Sequence, residues 1–89
     1  METVKGKDKG KLMLYALSTC VWCAKTKKLL NELGVAYTAE DVDLLDEKDA
    51  ENLKTVFKKW DSTGFPLLII DDKKCIKGFD EKEIKEAVK

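Results

Sequence analysis

The sequence predicts an α/β chain in the order β-α-β-α-β-β-α, and three observations carry that prediction. Short continuous apolar runs occur at residues 12–17 and 67–70, the signature of buried strands. Segments 20–33 and 46–60 instead space their apolar residues at the helical period. Turn-forming clusters separate these segments, among them Gly34, Asp61-Ser62-Thr63-Gly64 and Asp71-Asp72-Lys73-Lys74. Alternation of strands with helices on this scale points to a sheet with helices packed on it.

Residues 1–10 alternate lysines with glycines and acidic residues and read as a flexible arm, leaving 11–89 as the folded unit. Lys11 to Leu17 is a strand, apolar enough to be covered on both faces and central to the sheet. From Cys20 to Leu33 a helix presents an arc of Trp22, Thr26, Leu29, Leu30 and Leu33, with Cys23 at its edge and Cys20 outside it. Gly34 stops that helix. Ala36 to Val42 suits a second strand, and Asp46 caps a second helix with a stripe of Leu53, Val56, Phe57 and Trp60. After Phe65-Pro66 come the buried strand Leu67–Ile70 and a short strand Cys75-Ile76-Lys77. Asp80, three residues before Glu83, caps a last helix that buries Ile84, Ala87 and Val88.

Composition narrows the function. Of 89 residues, 44% are apolar and 38% charged, which supports one modest core and argues against disorder. The 17 basic and 17 acidic side chains cancel, and every basic residue is a lysine, so the bidentate arginine forks that read phosphates and bases are absent. Nucleic acid is a poor candidate partner. Residues 1–11 lack the apolar stretch of a secretory leader, no segment reaches membrane-spanning length, and three cysteines cannot pair completely, so a cytoplasmic location is expected.

Cys20 and Cys23 are the candidate chemistry. Two intervening residues allow a disulfide only where the backbone bends, and the first turn of a helix supplies that bend. A helix N-terminus favours negative charge, so Cys20 is expected to ionise readily and attack a substrate disulfide, while the more sheltered Cys23 resolves the mixed disulfide. The competing readings are a zinc site and a pair of inert core cysteines. Four-thiolate zinc needs a second pair, but only Cys75 remains and the chain has no histidine, so no metal site is expected. Inert cysteines leave the strand-to-helix placement without a reason.

Ser18-Thr19-Cys20-Val21-Trp22-Cys23 after the first strand, Phe65-Pro66 before a buried strand, and Gly78-Phe79-Asp80 before the last helix together resemble the glutaredoxin branch of the thioredoxin fold. The resemblance spans about Lys11 to Val88. It implies a four-stranded mixed sheet flanked by three helices, with the cysteines at the rim and a cis peptide before Pro66 facing them. It also implies a substrate surface of Trp22, Phe65, Pro66, Gly78, Phe79 and Asp80, with the Phe65 backbone pairing with an extended substrate segment.

The family activity implied is dithiol reduction of protein disulfides by a monomer with no tightly bound cofactor, recharged by an external reductant. Where glutaredoxins usually carry a basic residue three positions before the first cysteine, a Gly-Gly pair before the last helix and Thr-Val before the proline, this chain has Leu17, Lys77-Gly78 and Gly64-Phe65. Gly78-Phe79 is similar to redoxins that serve ribonucleotide reductase and draw electrons from a flavoprotein disulfide reductase. The expected reductant is therefore such a reductase rather than glutathione. The alternatives are a glutathione-dependent glutaredoxin or an iron-sulfur cluster carrier, the latter suggested by Val21 where many members have proline.

Other residues have two readings each. Trp22 either shapes the substrate surface or extends the apolar arc. Lys25, Lys27 and Lys28 either favour the Cys20 thiolate or form a solvated face, as does Lys59 unless it meets a partner carboxylate. Cys75 is a small hydrophobe or a site of regulatory oxidation.

Overall fold

Strand β2 (Leu12–Ala16) lies at the middle of a sheet ordered β1-β3-β2-β4-β5, whose other members are β1 (Glu2–Val4), β3 (Tyr37–Asp41), β4 (Leu67–Ile70) and β5 (Lys74–Lys77). The computed structural model describes residues 2–61 and 64–88, so Ser62 and Thr63 of the expected turn lie outside the described residues. Parallel β2 and β3 require a crossover, and helix α1 (Val21–Leu33) provides it. Pairs β2–β4, β4–β5 and β1–β3 are antiparallel. Helices α2 (Glu47–Lys59) and α3 (Glu81–Ala87) complete the chain, which from β2 onward has the expected order.

The sheet has five strands, which corrects the expected four. The fifth comes from the segment read as a flexible arm: Glu2, Thr3 and Val4 pair with Ala39, Thr38 and Tyr37. Beyond it the Lys7 N–H donates to the Gly34 carbonyl at 2.8 Å, and the Ala36 N–H donates to the Lys7 carbonyl at 2.9 Å. The backbones come so close here that a Cβ on Gly6 would stand 2.6 Å from the Val35 carbonyl carbon. An edge strand held by its main chain needs no apolar run, so periodicity did not expose it.

Residues paired across the strands share a face. Leu14, Ala39, Leu68 and Ile76 form one row, and with Leu12, Tyr37 and Ile70 they pack against Leu29 and Leu30 of α1 and Ile84 and Val88 of α3. This face is closed. The opposite face carries Met13, Tyr15, Thr38, Glu40, Leu67 and Ile69, and α2 covers it loosely. The expected stripe Leu53, Val56, Phe57 and Trp60 is only half-buried, and no residue of α2 is fully buried. Clefts of about 230 and 350 Å³ remain beneath that helix, the larger floored by Met13 and Ile69. Strand β2 is covered on both faces, as expected, but less completely toward α2, where Met13 and Tyr15 stay partly exposed.

Local signals set the helix ends. Cys20 caps α1, Asp46 caps α2 by accepting from the Asp49 N–H at 2.9 Å, and Asp80 caps α3 by accepting from the Glu83 N–H at 3.1 Å. Gly34, at φ 68°, ends α1 in the left-handed conformation. A 3₁₀ turn, Val42–Leu44, follows β3 in place of the last residue of the expected strand. Among the described residues, no helix is long and apolar enough to cross a membrane.

Candidate active site

The site forms where β2 runs out and α1 begins. Leu17, Ser18 and Thr19 carry the chain over the carboxyl ends of the parallel strands, where backbone groups no longer have sheet partners. Ser18 is clamped to Asp43: its N–H donates to Oδ1 at 2.9 Å and its hydroxyl donates to Oδ2. These two bonds hold the Asp43 carboxyl below its ordinary range. The Cys20 N–H donates to the Leu17 carbonyl at 3.2 Å, closing the turn that delivers Cys20 to the helix.

Cys20 is the N-cap residue, with extended φ and ψ of −86° and 120°. Its Sγ accepts the Cys23 N–H at 3.2 Å, and its carbonyl accepts the Ala24 N–H at 3.0 Å. A sulfur in this position receives one of the unpaired N–H groups of the first helical turn, an environment suited to an anion. Cys20 is half-buried, whereas Cys23 is 0% exposed within the closed core. All three cysteines are free thiols.

Burial pushes the Cys23 thiol up to about 11, and its hydrogen bond to the Cys20 sulfur pushes the same way. A hydrogen bond with the Leu17 backbone and the positive charge of Lys27 oppose the rise. The pair is therefore asymmetric in access, and Cys23 is the member that burial holds protonated.

Trp22 is placed differently from the helical arc. It is 55% exposed, and Cys23 takes the inward position beside Thr26, Leu29 and Leu30. At the first turn of α1 the Trp22 indole lies outside the buried core. It stacks instead on Phe79, with ring centroids 5.9 Å apart and planes inclined by 27°. The Lys25 ammonium lies 4.6 Å from the Trp22 ring centroid. Val21, next to the nucleophile position, is 67% exposed.

The Phe65–Pro66 peptide is cis. Pro66 is buried, its carbonyl accepts the Gly78 N–H at 2.8 Å, and this bond ties the entry of β4 to the exit of β5. Phe65 and Phe79 both pack, half-buried, against the core cluster that holds Cys23, as does Cys20. The described residues offer the Phe65 N–H and C=O no hydrogen-bond partner. Behind it, Phe57 of α2 touches Phe65 and Tyr15, with centroids 5.0 and 6.1 Å away.

Of the expected site residues, Cys20 and Cys23 are joined by a hydrogen bond, Trp22 stacks on Phe79, and Cys20, Phe65 and Phe79 pack against the core cluster that holds Cys23. Gly78 and Asp80 serve the framework, Gly78 through the bond to Pro66 and Asp80 as the cap of α3. Cys75 pairs with Ile69 and so lies on the α2 side of the sheet, opposite Cys23. Lys59 sits 5.5 Å from the Trp60 ring centroid. Sequence reasoning missed Asp41 and Asp43, because their partners Lys27 and Ser18 lie 14 and 25 residues away. Lys27 is not part of a solvated face: it is half-buried against Asp41.

A cysteine pair capping the first helix, beside a cis proline at the entry of the antiparallel half of the sheet, defines a thioredoxin-like fold with a redox site. The glutaredoxin family model matches residues 12–76, and the chain belongs to the glutaredoxin family, whose general activity is thiol-disulfide oxidoreduction. The crystal structure of a glutaredoxin from Methanosarcina mazei Go1 is 48% identical, with a TM-score of 0.92 over 98% of this chain and 85% of that one. Methanoredoxin from Methanosarcina acetivorans is 50% identical, with a TM-score of 0.84 over 93% of this chain and 88% of that one. An uncharacterized glutaredoxin-like 8.6 kDa protein in a rubredoxin operon of Clostridium pasteurianum is 31% identical over 78 residues, 86% of this chain and 96% of its own length.

Proposed function

We propose that this protein reduces disulfides of other proteins by a dithiol mechanism. The observation that carries the reading is the division of labour in one turn: a half-buried Cys20 sulfur receives a helix N–H, and a fully buried Cys23 lies beneath it. Cys20 as thiolate attacks one sulfur of the substrate disulfide, and the other substrate sulfur leaves with the bonding pair and is protonated by water. A mixed disulfide now joins Cys20 to the substrate. Cys23 gives up its proton, attacks Cys20 and expels the remaining substrate thiolate. The substrate gains two electrons and the protein ends as the Cys20–Cys23 disulfide.

The Phe65 backbone, which has no hydrogen-bond partner among the described residues, would hold an extended substrate segment by main-chain hydrogen bonds, while Trp22, Val21 and Phe79 would receive its apolar side chains. Leu17 and Lys77 replace groups that family members commonly use toward glutathione, which supports a flavoprotein disulfide reductase as electron donor. The donor acts transiently, in a reducing compartment such as the cytoplasm.

Side-by-side turnover assays test the reading, one with glutathione and its reductase and one with flavoprotein disulfide reductases. Turnover with the flavoprotein enzymes alone is the expected result. Turnover with glutathione alone would reassign the donor, and no turnover with either, together with a cluster spectrum after anaerobic reconstitution, would replace this function by cluster carriage.

A further inference from the structure

The three lysines in the middle of α1 differ in what they do. Lys25 lies over Trp22 and Lys28 is exposed, both on the outer side of the helix. Lys27 follows Cys23 by four residues, the spacing that places side chains on the same face one turn apart. Its Nζ is 3.0 Å from Asp41 Oδ1, with side-chain exposures of 26% and 28%. Asp41 is the last residue of β3 and pairs with Ala16, at the strand end from which the chain leaves for Cys20. A half-buried ion pair thus ties α1, one turn after Cys23, to the end of β3.

A lysine side chain has large rotamer entropy, so an unanchored ammonium would spend little time in one place. Asp41 anchors this one. The need for a fixed cation arises from the second chemical step, in which a thiol with no solvent exposure has to become an anion where it stands. Among the described residues, Cys20 and Lys27 of α1 and the Leu17 backbone act on Cys23, Lys27 in turn meets Asp41 of β3 and feels Asp43 of the turn after it, and the core cluster that holds Cys23 includes the apolar Ile84 and Val88 of α3.

We propose that Lys27, held in place by Asp41, supplies the positive charge that lets Cys23 ionise when it resolves the mixed disulfide, and that it acts on this half of the reaction only. The inference rests on the disulfide-reductase reading above. Lys27 is a positioning charge that neither gives nor takes a proton. The Cys23 proton passes to water, the Cys23 thiolate attacks Cys20 Sγ, the Cys20–substrate S–S bond breaks as the Cys20–Cys23 bond forms, and the substrate thiolate leaves with the electron pair.

The test is rapid mixing of the reduced protein with a disulfide-linked peptide, acid quench, and mass spectrometry of the mixed and closed disulfides. Wild type, Lys27→Met and Lys27→Arg are compared, each also in a Cys23→Ser background that isolates the first step. Losing the cation leaves less thiolate, and the greater nucleophilicity of a more basic thiolate restores about half of that loss logarithmically, so resolution in Lys27→Met slows by about two- to threefold. Formation of the mixed disulfide stays at the wild-type rate, and Lys27→Arg resolves like wild type.

Equal resolution in Lys27→Met and wild type overturns the inference, as does an equal slowing of both steps, which would mark a general disturbance of the helix. Failure of arginine to rescue overturns it too. If Cys23→Ser accumulates no mixed disulfide at all, the reductase reading fails first and this inference falls with it.

Discussion

The two faces of the sheet share their strands and differ in how completely they are closed. Toward α1 and α3, Leu14, Leu30, Ile76 and Ile84 are at most 1% exposed and Cys23 lies among them. Toward α2, the strands present Thr38, Glu40 and Tyr15 beside Met13 and Ile69, and clefts remain. Burial, and after it the Glu40 and Asp72 carboxylates, push the Tyr15 hydroxyl up, which marks that face as partly polar. The difference teaches where the redox chemistry belongs. The closed face shelters the resolving thiol until a mixed disulfide forms on Cys20, at the start of α1.

Alkylation of the native reduced protein should separate the faces most widely. Cys20 reacts first, and Cys75, half-buried on the α2 side, follows. Cys23 becomes reachable only through large opening of the closed face, which suppresses its rate roughly a thousandfold. Peptide mapping after timed quenching checks the order, and modification of Cys23 ahead of Cys75 would erase the contrast.

Truncation should show the same asymmetry in stability. Leu30→Ala is expected to cost about 2–5 kcal/mol, the range for a buried leucine that leaves a cavity. Val56→Ala on α2 removes a half-buried side chain and should cost less than about 1 kcal/mol. Urea midpoints at constant slope give both numbers. Equal losses would mean that α2 is seated as firmly as α1.

A smaller effect comes with pH. The Cys23 thiol is raised from its ordinary 9.0 to about 11 in the folded state, so the folded form holds that proton more tightly than the unfolded chain. The associated stability is complete below pH 9 and is lost as pH rises to about 11. Unfolding curves of reduced wild type should show this loss, and Cys23→Ala should lack it. The smallest effect belongs to Asp43, lowered by its bonds to Ser18 and fully exposed. Its contribution is present at neutral pH and disappears as pH falls through and below the ordinary carboxylate range. Asp43→Asn should flatten that acid limb.

How much of this was legible in the sequence follows the distance over which each feature is encoded. Helix caps at Asp46 and Asp80, the stop at Gly34 and the core strand Leu67–Ile70 are local, and the residues that form them announce them. Cys20 and Cys23 were legible as a pair because their spacing and their place after a strand belong to one segment. The sheltered place of Cys23 was legible too, whereas that of Trp22 on the helix was not. A helical period defines arcs, but whether an arc meets a strand depends on where the helix sits, and here Trp22 lies outside the buried core. Strand β1 and the Lys27–Asp41 and Ser18–Asp43 pairs are tertiary features, carried by backbone bonds or by polar residues that look like ordinary surface.

The central claim is that Cys20 attacks and the buried Cys23 resolves. It is tested most directly by incubating Cys23→Ser with a protein disulfide substrate and measuring the intact mass. The expected result is a stable adduct of one substrate chain on Cys20, released by dithiothreitol and absent from Cys20→Ser. An adduct mapped to Cys75, or full multiple-turnover reduction by Cys20→Ser, would contradict the account.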